Sequence, residues 1–460
     1  MSLTPELQTP ELQAPESLVK MDQAILPDLG SVLGDVTGSG QVLETHKEQE
    51  AAKEPGRKRV FMMACACFVL LNIALTFFAP IKFDEYKFPY RGWAWWTMND
   101  LKRGKADHNI ALLGSSLMVS VIAGADANHL NKNLDLTSYH KASYLDDQLR
   151  ARFPGSFNTF NLSAPGQMPS DAYLALRAMV NTANRPDVVI YGVAPRDFID
   201  STLSSPASTE PFKYLKRFVN IDDVAFAVFR DPFARLDWLM QRSIYLYGSS
   251  LDFQLAFNDF ATEFLQTAVP RPYNNPRFTW WDRVRLMPQY LPGEIHPEAV
   301  MAGPIDRKTA DERYSDNTKE YQDRYRSPDP HTYKTQIYFL KRLAKFCHQE
   351  RIELVLVNMP ITLYNVGMLQ PGVYMKYLQA MRELALEANM PFYDLANFAM
   401  YQRNDFHDSV HLNAFGGRKF LDDLVNRLAN DGRCRGAFIL AGQQLDRNKS
   451  IAASRRSRDL

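Results

Sequence analysis

Hydrophobic and polar positions fall in blocks along this chain, and the blocks predict most of its architecture. The longest apolar run, Val60 to Ile81, holds no charged residue and offers only Asn72 and Thr76 as a polar face. About 20 helical residues rising 1.5 Å each cover a hydrocarbon layer of ~30 Å, so the run predicts one membrane-spanning helix. With its flanks the anchor occupies residues 57–82. Arg57, Lys58 and Arg59 precede it, which orients the N-terminus to the cytoplasm and the bulk of the chain outside. Phe77-Phe78-Ala79-Pro80 lacks the small residues of a cleavage site, so the helix is expected to stay as an anchor.

From Asn109 onward short apolar runs alternate with stretches at helical spacing. Strands are predicted at 110–113, 157–161, 187–191, 352–358 and 391–394. Helices are predicted near 139–152, 170–183, 332–349, 371–388 and 413–430. DVVIY and ELVLV are apolar without alternation, as in strands covered on both faces. Phe420, Leu421, Leu424, Val425 and Leu428 make one helical face. Alternation of this kind predicts an α/β three-layer sandwich around a parallel sheet, spanning 109–432.

The alternation stops between about 198 and 331, where a Pro-punctuated aromatic insertion is expected to form a helical subdomain. Asp231-Pro232 reads as cap and first turn of a helix ending near Gly248, and Pro270 to Pro304 reads as irregular. Residues 1–56, with the repeat TPELQ-TPELQ-APES, are too poor in apolar side chains to offset their ordering entropy and are expected to be disordered. Residues 83–108 form a juxtamembrane linker rich in aromatics, Tyr86, Phe88, Tyr90, Trp93, Trp95 and Trp96 among them. Such side chains suit the headgroup zone or ordinary packing against the domain. The basic segment 433–460 is expected to be a mobile tail.

Composition narrows the function classes. With 53 basic and 52 acidic residues the chain has no electrostatic footprint for nucleic acid. Its four cysteines, Cys65, Cys67, Cys347 and Cys434, lack metal-ligand spacing, so neither a metal nor another cofactor is expected. Cys347 and Cys434 read first as two buried free thiols, with a bridge between them the alternative in an oxidising compartment.

Four blocks carry chemistry. The apolar run Ile110–Leu113 stops at Gly114, and Ser115-Ser116 follow, placing a hydroxyl at the end of a buried strand. Ser116 is the candidate nucleophile; the segment is not G-x-S-x-G. In NLSAPGQMPS, Gly166 sits in a tight turn whose backbone N–H can approach an oxyanion. In DVVIYGVAPRDF, Arg196 is a candidate for an anionic or polyol substrate group, against simple pairing with Asp197. In DFHDSVHLN, His411 is the candidate general base and Asp408 its orienting carboxylate, with Asp405 and His407 competing for the same roles. Loops from several strands of an open parallel sheet converge at its carboxyl edge, which would unite Ser116 and His411.

The order of these blocks resembles the SGNH (GDSL-type) hydrolase superfamily. The resemblance implies a flavodoxin-like sandwich, a Ser116–His411–Asp408 triad, and an oxyanion hole from the N–H groups of Ser116 and Gly166. Ser115 replaces the aspartate of the usual G-D-S, and the third-block asparagine is missing from GVAPRD. The single N-terminal span, the G-S-S block and Asn358-Met359-Pro360 resemble its membrane-anchored cell-envelope branch, which includes teichoic acid D-alanine transfer and alginate O-acetylation proteins. That likeness implies a bacterial inner-membrane protein with a periplasmic domain and a membrane-bound O-acyltransferase as partner. It also implies an exported polysaccharide as acyl acceptor or donor, with Asn358 as a further substrate-binding candidate. Two other readings stay open: a non-catalytic scaffold or glycan-binding partner, and a lipase-like esterase acting on membrane lipid.

Overall fold

A computed structural model describes residues 54–78, 82–88, 92–104, 107–182, 184–268, 301–307 and 313–456. Residues 1–53 of the tail expected to be disordered, 270–300 of the stretch expected to be irregular, and 457–460 lie outside the described residues. The chain divides into two units, residues 1–71 and 72–460. The described part of the first is all helix and belongs to α1 (Glu54–Phe78), of which Lys58–Phe78 is long and apolar enough to cross a membrane.

The second unit is built on five parallel strands, β1 (Ile110–Gly114), β2 (Thr159–Asn161), β3 (Val188–Val193), β4 (Glu353–Asn358) and β5 (Phe392–Asp394). Their spatial order, β2-β1-β3-β4-β5, is the flavodoxin-like one. Leu112 pairs with Asn161 on one side and Ile190 on the other, and Gly114 pairs with Gly192, so β1 is central to the first three strands. Every residue of β1 and β3 is buried, which explains why their sequences do not alternate.

In chain order the main helices of this unit are α2 (Trp93–Arg103), α3 (Ser116–Leu130), α4 (Ser143–Arg152), α5 (Pro169–Asn181), α6 (Glu210–Leu215), α7 (Pro232–Ser243) and α8 (Ser250–Ala268). They continue with α9 (Thr318–Tyr325), α10 (Pro330–Gln349), α11 (Val373–Glu387), α12 (Ala414–Asn430) and α13 (Gly432–Arg456). α3, α4 and α12 pack together, as do α5 and α10. In the interval 198–331, α6 buries Phe212, Tyr214 and Leu215 in the core, whereas Phe233 on α7 and Phe257, Phe260 and Phe264 on α8 are exposed.

Of the two readings of the aromatic linker, packing against the domain is the one its buried side chains follow: Phe88 is buried, and α2 turns Ala94, Trp95, Met98 and Leu101 inward on one helical face. Two expectations need correction. The basic tail is the 25-residue helix α13, because Cys434, Phe438, Ala441 and Leu445 recur every three or four residues and are all buried. Phe438 stacks on Phe153 at 5.2 Å. The helix expected from 139 starts only at Ser143, because buried Asp126 holds the preceding turn. It accepts from Tyr139 Oη (2.7 Å), Ser143 N (2.7 Å) and Tyr144 N (2.8 Å), taking the place of an N-cap side chain. Cys347 and Cys434 are both buried and unbridged.

Candidate active site

The end of β1 is braced before it delivers any chemistry. Gly114 N donates to Gln167 Oε1 (2.9 Å), and Gln167 Nε2 donates to Leu162 O (3.0 Å), tying β1 to the loop after β2. Ser115 then adopts extended backbone and Ser116 opens α3. Its hydroxyl therefore lies at a helix N-terminus, where the aligned peptide dipoles favour developing negative charge.

The partner loop comes from 295 residues downstream, and it is knotted by its own hydrogen bonds. Asn413 caps α12 by accepting from Phe415 N (2.9 Å) and Gly416 N (3.2 Å), and its amide donates to Asn404 O (2.7 Å). Asp408 Oδ1 accepts from Val410 N and His411 N, both at 2.8 Å. Its Oδ2 lies 2.6 Å from His411 Nδ1, and His411 Nε2 lies 2.7 Å from Ser116 Oγ. Burial pushes the Asp408 carboxyl up, but the hydrogen bonds and charge of His411 and the backbone donors outweigh it, leaving the group below its ordinary value. Carboxylate, imidazole and hydroxyl thus form one hydrogen-bonded chain.

This geometry decides between the competing side chains of the loop. Ser116 takes His411 as its imidazole. The backbone N–H of His407 is spent on His411 O at 2.7 Å, and burial lowers the pKa of its ring despite the nearby Asp408 charge. Asp405 pairs with Lys419 at 2.6 Å and accepts from Gln402 N.

Sequence patterns missed the residues that hold this loop. Asn317 Oδ1 accepts from Ser409 Oγ (2.6 Å), Asn365 Nδ2 donates to Ser409 Oγ (3.0 Å), and Thr362 Oγ1 donates to Ser409 O (2.8 Å). Asn317 lies in the insertion, where no periodicity marks it.

Gly166 has φ +75°, the left-handed region, and a Cβ there would stand 3.5 Å from Arg196 Nη2. Gly166 follows β2 and Arg196 follows β3, the two strands flanking β1. The Gly166 turn, whose neighbour Ala164 donates to Gly114 O at 3.1 Å, thus brings the guanidinium close to the carboxyl end of β1, where Ser115 and Ser116 emerge. Its main ion pair is with Asp200 at 2.8 Å, with Asp197 at 3.6 Å, and Arg324 also engages Asp200. Arg196 Nη1 is buried with no hydrogen-bond partner among the described residues. Beneath it, burial pushes Asp197 up to about 6, opposed by the Arg196 charge, the Ala194 amide and the Ser115 hydroxyl. Burial likewise pushes Asp171 up to about 7, opposed by Thr209 and the Met168 N–H.

Asn358 does not join the site. It is fully buried, its amide donating to Asp394 (2.8 Å) and accepting from Tyr377 Oη (2.9 Å), so it fastens β4 to β5 and α11 and leaves no atom for substrate. Among the described residues no cluster of His, Cys, Asp and Glu could hold a metal ion.

No family model matches the chain, and no curated protein is similar to it. Among solved structures, one similar fold is that of a candidate acylhydrolase from Bacteroides fragilis NCTC 9343. The two share 8% identity at a TM-score of 0.27, over 70% of this chain and 86% of that one. At that distance nothing about activity is taken from it.

Proposed function

We propose that this chain is a membrane-anchored serine acyltransferase or esterase whose acyl acceptor or donor is a glycan outside the cytoplasm. The observation that carries the reading is the hydrogen-bonded chain from Asp408 through His411 to Ser116, at 2.6 and 2.7 Å. A hydroxyl is a weak nucleophile at neutral pH unless a base takes its proton as it attacks. His411 Nε2 would take the proton from Ser116 Oγ while the oxygen bonds to the acyl carbonyl carbon. Asp408 would keep Nδ1 protonated and stabilise the imidazolium.

The carbonyl oxygen would become an oxyanion, held by the N–H groups of Ser116 and Gly166 near the positive end of α3. Arg196, whose guanidinium stands beside the Gly166 turn, supports a third donor at this point. Collapse of the intermediate would break the bond to the leaving alcohol, which takes the proton from His411 and leaves an ester on Ser116. A sugar hydroxyl, deprotonated by the same imidazole, would then accept the acyl group; water in its place gives hydrolysis. Choice of a glycan rests on the sequence resemblance, and an extracytoplasmic domain on the apolar span with its basic N-terminal flank.

Labelling with a serine-directed fluorophosphonate tests the core of this reading. The full chain in detergent should label, and Ser116→Ala should not. Equal labelling of both would remove Ser116 from the mechanism.

A further inference from the structure

A cleft of about 640 Å³ opens at the carboxyl edge of the sheet, beyond β4 and β5. Its walls come from the loop after β4, the loop after β5 and the segment 314–318 of the insertion. Neither Ser116 nor His411 lines it. It nevertheless touches their support: Ser315 N donates to His407 O (2.7 Å), and Thr362, in the cleft wall, donates to Ser409 O. We infer that this cleft is a saccharide-binding subsite that holds a glycan chain about two to three residues away from the one at Ser116.

Three features select a saccharide. First, the lining is aromatic. Tyr364 is 58% exposed, yet its hydroxyl is pinned to Thr318 Oγ1 at 3.0 Å, and Tyr314, Phe398, Tyr401 and Phe406 share the same cleft. An exposed ring held in one orientation is a platform for the C–H face of a pyranose, and it loses little side-chain entropy on binding. Second, the polar groups are mixed. Gln402 and Asn397 can donate and accept, and the Tyr401 hydroxyl is buried with no hydrogen-bond partner among the described residues. A ring of sugar hydroxyls needs that mixture, and an acyl chain does not. Third, the charges cancel. The lining holds one acid, Asp316, and one base, Arg403, whose guanidinium already lies 4.4 Å from the Tyr314 ring centre, so the cleft has no surplus cation for phosphate or nucleotide.

Spacing supports a subsite on the same ligand. Neighbouring strands lie ~4.8 Å apart, so a cleft over β4 and β5 stands roughly 10–14 Å along the sheet edge from Ser116 over β1. An extended oligosaccharide covers that distance. The volume also falls in the range of ordinary ligand pockets, about 300–1,000 Å³. Binding energy gathered there would position a hydroxyl at the acyl-enzyme without taking part in the chemistry.

This inference rests on the proposed function, and two readouts separate them. Calorimetric titration would use the full chain in detergent with hexasaccharides of β-1,4-glucose, β-1,4-N-acetylglucosamine and β-1,4-mannose. At least one should bind wild type and Ser116→Ala alike, and its Kd should rise about tenfold in Tyr364→Ala, with Tyr364→Phe restoring most of the loss. Tyr364 is exposed enough for the substitution to leave the fold intact. Binding unchanged in Tyr364→Ala, or no binding by any of the three, overturns the subsite even if fluorophosphonate labels Ser116. Saccharide binding that depends on Tyr364 without labelling of Ser116 leaves the subsite standing and removes the acyl chemistry.

Discussion

Replacing Asp408 by Asn isolates the orienting carboxylate with little else disturbed. Oδ1 accepts both backbone bonds, from Val410 N and His411 N, at 2.8 Å, and the Asn carbonyl oxygen can keep them. The amide nitrogen then occupies the Oδ2 position, 2.6 Å from His411 Nδ1. Two donors cannot face each other, so the imidazole must accept at Nδ1 and carry its proton on Nε2. Nε2 then donates to Ser116 Oγ and can no longer take its proton. In enzymes that use the same arrangement this swap lowers kcat by about 10⁴, equivalent to ~5.5 kcal/mol of barrier. The rate of fluorophosphonate labelling of Asp408→Asn should fall by a comparable factor, while circular dichroism melting shows an unchanged fold. A folded variant that labels within about threefold of wild type would refute the role given to Asp408.

Two further outcomes test the packing around the site. Asp171 and Asp197 have folded pKa values raised to about 7 and about 6 from 3.8, so the fold holds their protons where the unfolded chain has released them. Their contribution is complete below about 3.8 and disappears as pH climbs through about 6 and 7; Tm measured by calorimetry should fall between about pH 5 and about pH 8, and a Tm rising across that window contradicts neutral burial. Phe438→Ala empties a fully buried position between α13 and Phe153 and should cost about 3–5 kcal/mol in denaturant unfolding, whereas a mobile tail would give no change.

Much of this protein is local in origin and was therefore legible in the chain. Apolar runs without alternation marked β1, β3 and the middle of β4 as buried strands, because a strand with one face in water would alternate. The charge-free run through residues 60–81 likewise predicts a spanning helix from length and composition alone. Asp405, His407, Asp408 and His411 fall within seven residues, so a carboxylate–imidazole pair on this loop was readable, though not which members form it.

Tertiary structure decided what depends on packing between distant segments. Choosing His411 over His407 required the loop to fold, since both rings belong to the same few residues and share one chemistry. Asn358 looks polar and available at a strand end, but Asp394, Tyr374 and Tyr377 close over it. Residues from 433 onward carry a sparse apolar stripe that a charged composition hides, and it became a buried helix only because Phe153 and Phe157 offered it a surface. The aromatic cleft draws its walls from three separate segments, so no window of sequence contains it. Periodicity reports which face a residue turns inward; it does not say what that face meets.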